Sequence, residues 1–307
     1  MRDDGRGRPA ARRGRSVVLT KPRVLVTGLS GFTGIYVAEA LAARGLEAVD
    51  PAAVVESFDL TLPETIADAV ARIAPDYVVH LAAISFVGHD DPADFYRVNT
   101  IGTVNLLQAL AGAPQPVRKI VVASSANIYG NTHVSPLDEA STPAPVNHYA
   151  CSKLAMEHLV RQWFDRLPIV VTRPFNYTGR GQSAQFLVPK IVGHFARREP
   201  VLELGNLDVA RDFTDVRDVA SFYAELLLSA AQGEFVNICS GHAYSLEWIV
   251  ETCAAITRHE IEIQVNPAFV RSDEIKTLVG DPAKLDALLG QQTRHHFGET
   301  LSWMLEV

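Results

Sequence analysis

The sequence predicts an α/β protein, a doubly wound parallel sheet followed by a smaller α+β lobe, and three observations predict it. Short β-branched or apolar runs alternate with segments of helical periodicity up to about residue 174. A glycine-rich turn separates the first run from the first helical segment. Beyond Pro174 the alternation becomes irregular, with shorter strands. Strands that alternate with helices require right-handed crossovers and a sheet covered on both faces. Such a sheet binds its ligands outside the carboxyl ends of its strands.

The elements follow in order. Residues 23–27 are a β-branched run ending in glycine, which reads as a buried strand. Residues 32–44 carry apolar positions at helical spacing and stop at Gly45, a C-cap signal. Residues 46–49 supply a second strand. Residues 63–73 form a helix that opens on Pro63, where a missing N–H costs nothing. A third strand spans 77–81, a long helix 95–110, a fourth strand 119–123, a helix 146–163 and a strand 169–172. In the irregular second half, 201–204 and 235–238 read as strands.

The chain has 307 residues, of which 48% are hydrophobic and 21% charged, the composition of a protein with a full core. Its net charge of −7 argues against a broad nucleic-acid-binding face. No apolar stretch is long enough to span a membrane. The three cysteines, Cys151, Cys239 and Cys253, are far apart and odd in number, so neither a disulfide framework nor a zinc site is expected, and a reducing cytoplasm fits. Residues 1–16 hold six arginines and no apolar signal region. They read as a disordered leader or an early start codon, an arm for an anionic partner being the alternative.

Gly28, Gly31 and Gly34 lie between the first strand and the first helix. Gly28 suits the tight turn, Gly31 lets the backbone approach a pyrophosphate, and Gly34 lets the helix pack close to the strand. The N–H groups at the helix start, with Phe32 and Thr33, then face the phosphates. An ordinary glycine-rich turn is the alternative, but the strand–turn–helix context is what dinucleotide binding requires. Tyr149 and Lys153 stand four apart on a predicted helix and share one face. A tyrosine with a reference pKa of about 10 is a poor acid–base group at neutral pH, and a neighbouring ammonium favours its phenolate. Ser125, just after the strand that ends at Ala123, offers a hydroxyl to a carbonyl oxygen beside the tyrosine. A Tyr-x-x-x-Lys pair alone also occurs on exposed helix faces.

The GxxGxxG spacing, the serine run and the Tyr149–Lys153 pair resemble the extended short-chain dehydrogenase/reductases. That resemblance implies a Rossmann domain binding NAD or NADP, with Ser125, Tyr149 and Lys153 as catalytic triad. It further implies cofactor contacts from Asp59 and Leu60, from Leu81, Ala82 and Ala83 after His80, and from Asn99 and Pro174. For His80 and Asn99 the stronger alternative is that they only satisfy backbone groups. Asp50 favours NAD, but it lies early in the strand register, so the choice between the two cofactors stays open. The expected layout is a leader over 1–20, a cofactor domain of 21–178 and 209–238, and a nucleotide-sugar lobe of 179–208 and 239–307.

Residues 178–183, 204–218, 271–274 and 278–281 resemble a narrower group, the GDP-4-keto-6-deoxy-D-mannose reductases and GDP-mannose 4,6-dehydratases. The Gly-Trp-Lys-Pro usual near their last helix is absent here. The resemblance implies substrate contacts from Ser85, Asn127, Asn176, Phe186, Val188, Lys190, Arg211, Arg271 and Glu274. Arg211 and Arg271 suit a bidentate grip on a diphosphate, with surface ion pairs to Asp212 or Glu274 as the alternative. The dehydratases place a carboxylate just after the catalytic hydroxyl, and Ala126 and Asn127 stand there instead, so no dehydration is expected. C4 reduction of a GDP-4-keto-6-deoxy-hexose, 4-epimerisation of a nucleotide-sugar and non-catalytic dinucleotide sensing remain as readings, in that order. A homodimer through helices 95–110 and 146–163 is implied, with no metal.

Overall fold

The computed structural model describes residues 21–86, 88–132, 134–270 and 276–306; the arginine leader, Arg271 and Glu274 lie outside them. The elements are β1 (Arg23–Thr27), α1 (Phe32–Ala43), β2 (Glu47–Val49), α2 (Pro63–Ile73), β3 (Tyr77–His80), α3 (Pro92–Asp94), α4 (Thr103–Ala111), β4 (Lys119–Ala123), α5 (His148–Arg161), β5 (Ile169–Pro174) and β6 (Asn176–Thr178). Then come α6 (Leu187–Ala196), β7 (Val201–Leu204), β8 (Ala210–Asp215), α7 (Val216–Leu228), β9 (Glu234–Ile238), β10 (Ala243–Ser245), α8 (Leu246–Thr257), β11 (Glu262–Val265), β12 (Thr277–Leu278), α9 (Ala283–Leu289) and α10 (Phe297–Leu305).

The main sheet is parallel and ordered β2-β1-β3-β4-β5-β9. Its strands are apolar on both faces because helices cover both. Val24, Val26, Val79, Val121 and Val170 point to the side of α1 and α7. Leu25, Val78, Ile120, Val122, Ile169 and Val171 point to the side of α2, α4 and α5. This period-two division of near-continuous apolar strands is what a doubly wound sheet demands. The chain leaves β1 toward β2 on one side and returns to β3 on the other, so the strand order reverses between β1 and β3. The crevice at that reversal is where this architecture places ligands.

A second sheet, β10-β8-β12 with β6 also on β8, and the pair β11–β7 form the smaller lobe. Its core gathers Val188, Ile191, Phe195, Phe213, Leu246, Ile249 and Phe297. By pairing, residues 210–215 belong to this smaller sheet, and the chain re-enters the main domain with α7, which packs on α1.

The local differences from expectation have physical causes. The first helix ends at Ala43 in a Schellman turn, Leu46 N–H bonding Leu41 O and Gly45 N–H bonding Ala42 O with Gly45 at φ +74°. That turn consumes Leu46 and shortens β2. The 95–110 helix starts earlier, at Pro92, because the Asp91 side chain accepts from Ala93 N–H at 2.9 Å. Its stretch Phe95–Gly102 is π-helical, a widening that a 3.6-residue pattern cannot reveal. The expected 146–163 helix begins at His148, because Asn147 caps it by accepting from Ala150 N–H at 2.9 Å. Cys239 and Cys253 are buried, Cys151 half-buried, and all three are free.

Candidate active site

The glycine turn shows directly why glycine is required. Gly28 takes φ +74°, and a Cβ there would lie 3.1 Å from Ala82 N, across the gap between β1 and β3. A Cβ on Gly34 would lie 2.3 Å from Gly28 O and 2.4 Å from Leu29 O, so α1 rests directly on the turn. Gly31 N–H bonds Gly28 O at 3.1 Å, and Gly31 caps α1 with no side chain over the first turn. No acidic residue stands in that turn. Unfilled N–H groups and the positive helix end make a cradle for a dianion, so these residues fit a dinucleotide pyrophosphate.

The loop after β3 forms the facing wall. Thr27 Oγ1 accepts from Ala82 N–H at 3.1 Å and lies 2.7 Å from His80 Nδ1. Thr103 Oγ1 donates to Asn99 O at 2.7 Å, so it accepts from His80 Nε2–H at 2.9 Å. The network therefore assigns the imidazole proton to Nε2. Burial, with a smaller push from Lys153, lowers the His80 pKa to about 3, so the ring stays neutral. Asn99 clamps the same loop: Ile84 N–H donates to its Oδ1 at 2.8 Å, and its Nδ2 donates to Ile84 O at 3.1 Å and to Ser152 Oγ at 3.2 Å. Its amide is thus spent on the protein, and Asn99 shapes the loop of Leu81, Ala82 and Ala83. Asp59 is exposed and turns inward on Thr61, accepting at 2.8 Å from both its N–H and its hydroxyl. Leu60 is buried against Gly102. Asp50 caps the turn Pro51–Ala53 by accepting from Ala52 N–H at 3.0 Å.

At the end of β4 the chain turns through Ser125 into the 3-10 turn Ala126–Tyr129. Ser125 Oγ accepts from Asn127 N–H at 3.2 Å and hydrogen-bonds the Tyr149 phenol. The adjacent Ser124 Oγ is buried without a partner. Tyr149 sits in the first turn of α5, and Lys153 one turn later donates to Ala123 O at 2.8 Å. The three groups are therefore brought together at one strand end. Burial pushes the Tyr149 phenol up to about 12, with the Ser125 hydrogen bond working the other way. Burial lowers Lys153 to about 8, with Glu157 opposing. At neutral pH the phenol therefore keeps its proton and the lysine its charge, so the phenol can donate while the ammonium stabilises the phenolate left behind.

The remaining expected residues divide. Asn176 opens β6 beside β8, and Pro174 ends β5 beside Ile238 of β9. Phe186 precedes α6 and meets Phe86 edge-on at 6.5 Å, across the two lobes. Ser85 is exposed and Asn127 half-buried. Val188 is turned into the smaller lobe's core, so its side chain offers a ligand nothing. Lys190 donates to Glu203 O at 2.6 Å and lies over the Phe269 ring at 4.2 Å. Arg211 Nη1 donates to Ala210 O at 2.9 Å and to Lys276 O at 3.0 Å. Asp212 is fully buried and accepts instead from Ser240 N and Oγ, Gly241 N and Gly280 N.

Two members of this neighbourhood escape the sequence reading. Glu157 is four residues beyond Lys153, a spacing that would have found it. Tyr177 lies 2.9 Å from Thr33 Oγ1 through its hydroxyl, 144 residues away, and stacks on the adjacent Phe32, contacts that no local pattern signals. No group of side chains able to hold a metal occurs among the described residues.

The sequence profile of the GDP-mannose 4,6-dehydratase family matches residues 25–304. The chain belongs to that family. Among individual relatives of this GDP-mannose 4,6-dehydratase family member is GDP-6-deoxy-D-talose 4-dehydrogenase of Aggregatibacter actinomycetemcomitans, 41% identical over 89% of this chain and 92% of the other. Another is GDP-6-deoxy-D-mannose reductase of Pseudomonas aeruginosa, 37% identical over 87% and 91%. The solved structure of RMD from P. aeruginosa, complexed with NADPH, superposes with a TM-score of 0.84 at 34% identity, covering 93% of this chain and 98% of that one. This family member therefore has the extended short-chain dehydrogenase/reductase fold.

Proposed function

We propose that the chain is an NAD(P)H-dependent oxidoreductase that reduces the C4 ketone of a GDP-4-keto-6-deoxy-hexose, converting GDP-4-keto-6-deoxy-D-mannose into GDP-D-rhamnose or its C4 epimer. One observation carries the reading: Ser125, Tyr149 and Lys153 converge, and the positions after Ser125 are Ala126 and Asn127. Neither of those can remove a C5 proton, so the site has the acid–base group for carbonyl reduction and lacks the one for dehydration. The two relatives named for GDP-6-deoxyhexose redox chemistry support the same substrate class.

The cofactor, when bound, supplies the hydride. Gly28, Gly31, Phe32, Thr33 and Gly34 would hold its pyrophosphate, and Asp59, Leu60, Leu81, Ala82, Ala83 and Pro174 its flanks. Tyr149 donates a proton to the C4 oxygen, Ser125 hydrogen-bonds that oxygen, and Lys153 stabilises the phenolate left behind. Ser85, Asn127, Asn176, Phe186, Lys190, Arg211, Arg271 and Glu274 are assigned to the nucleotide-sugar. In this reading residues 21–178 and 209–238 serve the cofactor and 179–208 and 239–307 the substrate, with 210–215 shared through β8. Exposed Ile101, on the outer side of the helix that runs into α4, and α5 beside it are assigned to a homodimer contact. A reducing, cytoplasmic setting suits the three free thiols.

Reduction is expected to be level at neutral pH and to fall about tenfold per unit above a pH near the Lys153 value of about 8, because the deprotonated amine no longer stabilises the phenolate. A pH profile of kcat checks this, and a level profile to pH 10 would refute it. The deciding assay mixes the purified protein with GDP-4-keto-6-deoxy-D-mannose and either NADH or NADPH. Cofactor oxidation in step with loss of the keto sugar establishes the reductase, and NMR of the product fixes C4. No turnover with either cofactor overturns the reductase, and copurified NAD+ with interconversion of intact nucleotide-sugars at C4 would then establish the 4-epimerase. A 4-keto-6-deoxy product formed from GDP-mannose would overturn the absence of dehydration.

A further inference from the structure

Three segments that build the site, β5, α5 and the turn after Ser125, meet below it on one guanidinium. Arg173, next to Pro174 at the end of β5, is 6% exposed, and Glu157 on α5 is 3% exposed. Arg173 Nε donates to Glu157 Oε1 at 3.0 Å and Nη2 to Oε2 at 2.7 Å, a planar two-point contact. Arg173 Nη1 donates to Tyr129 Oη at 3.0 Å and to Glu139 O at 3.0 Å. Tyr129 Oη in turn donates to Asn237 Oδ1 of β9 at 2.8 Å. Tyr129 closes the 3-10 turn that Ser125 caps, and Glu157 lies two turns along α5 from Tyr149 and one from Lys153.

We propose that the Glu157–Arg173 pair is a positioning unit of this site, fixing the helix of Tyr149 and Lys153 against the loop of Ser125 and the strand of Pro174, and presenting to Lys153 the carboxylate that keeps it charged. The inference rests on the reductase reading for its kinetic consequence and on geometry for its cause. Facing Lys153 are Tyr149 and Glu157 from its own helix, neutral His80 from β3 and the Ala123 carbonyl from β4, with Arg173 of β5 behind Glu157. Tyr177 and Tyr223 stand beyond Tyr149. The carboxylate of Glu157 is thus the anion among these groups, and it opposes the loss of the Lys153 proton that burial favours.

The test uses Glu157→Gln, which keeps the planar shape and loses the charge. The double variant Glu157→Leu with Arg173→Met removes both buried charges together, a replacement that buried pairs often tolerate. Lys153 is followed by NMR in lysine-labelled protein, its signal assigned by its loss in Lys153→Met, so the reading needs no substrate. The expected result is a Lys153 titration displaced toward acid by about one pH unit or more in whichever variants fold. The alkaline limb of kcat should move with it, while KM for the cofactor changes less than threefold. An unmoved Lys153 titration in a folded variant, with only a lower melting temperature, overturns the proposal and leaves the pair as scaffold. A wild-type protein that titrates as expected yet turns over no keto sugar would sink the reductase reading and leave this inference standing.

Discussion

Tyr149→Phe is expected to lower kcat for keto-sugar reduction by a factor of about 10²–10⁴, the usual contribution of a positioned acid–base group. The substitution removes one hydroxyl and leaves the ring in place. That ring packs edge-on against Phe95 at 6.1 Å, so the buried surface and the start of α5 are retained. What is lost is the hydrogen bond with Ser125 and the phenolic proton held one helical turn from Lys153. KM for both ligands should change little, because the phenol acts on charge that develops only during reaction. Steady-state rates with the keto sugar, beside a thermal melt showing an unchanged fold, check this. A variant that keeps a tenth of the wild-type rate would remove Tyr149 from the role.

Gly34→Ala should weaken dinucleotide binding by about 10- to 100-fold, corresponding to about 1–3 kcal/mol of overpacking. The new methyl would press on backbone atoms on one side only: Gly28 O at 2.3 Å, Leu29 O at 2.4 Å and Leu29 C at 2.6 Å. None of these is the tip of a flexible side chain. The first turn of α1 must therefore lift from the glycine turn, and the N–H groups that face the phosphates move with it. Gly45→Ala provides the control. Gly45 has a left-handed backbone, φ +74°, which helical Gly34 does not, and a Cβ there meets nothing within 4 Å. It should cost stability, about 1 kcal/mol, and leave cofactor affinity alone. Fluorescence titration of NADPH with both variants separates the two effects. Equal affinity in Gly34→Ala and the wild type would remove this turn from phosphate binding.

The main sheet was readable from sequence because its inner strands β1, β3, β4 and β5, buried on both faces, are compact apolar runs. Pro63 and Gly45 marked boundaries through backbone chemistry that does not depend on distant contacts. The triad was readable for a similar reason: Tyr149 and Lys153 are one helical turn apart, and Ser125 follows a strand end. The smaller lobe was opaque because its strands are short and pair across long separations, as Asn176 does with Phe213 and Thr277 with Ala210. Arg211 and Asp212 illustrate the limit at the level of side chains. Adjacency in sequence suggested an ion pair, yet in the strand they point to opposite faces, and Asp212 is occupied by the backbone of two loops. The π-helical turn around Asn99 was likewise invisible, and the Asn99 side chain within it bonds Ile84 and Ser152, partners distant in the chain.

The way β8 is surrounded has a consequence for how the molecule comes into being on the ribosome. Five of the six main strands, and with them Ser125, Tyr149 and Lys153, are complete once residue 174 has been made. β8 must wait for β10 at 243–245 and β12 at 277–278 before both its edges are paired. A nascent chain thus carries Ser125, Tyr149 and Lys153 early and completes the smaller lobe's sheet late, with an open strand edge in between that invites association with other chains. Release from synthesis near residue 240 would be expected to yield an aggregation-prone species with a formed cofactor cradle, while extension past residue 280 closes the edge and confers solubility.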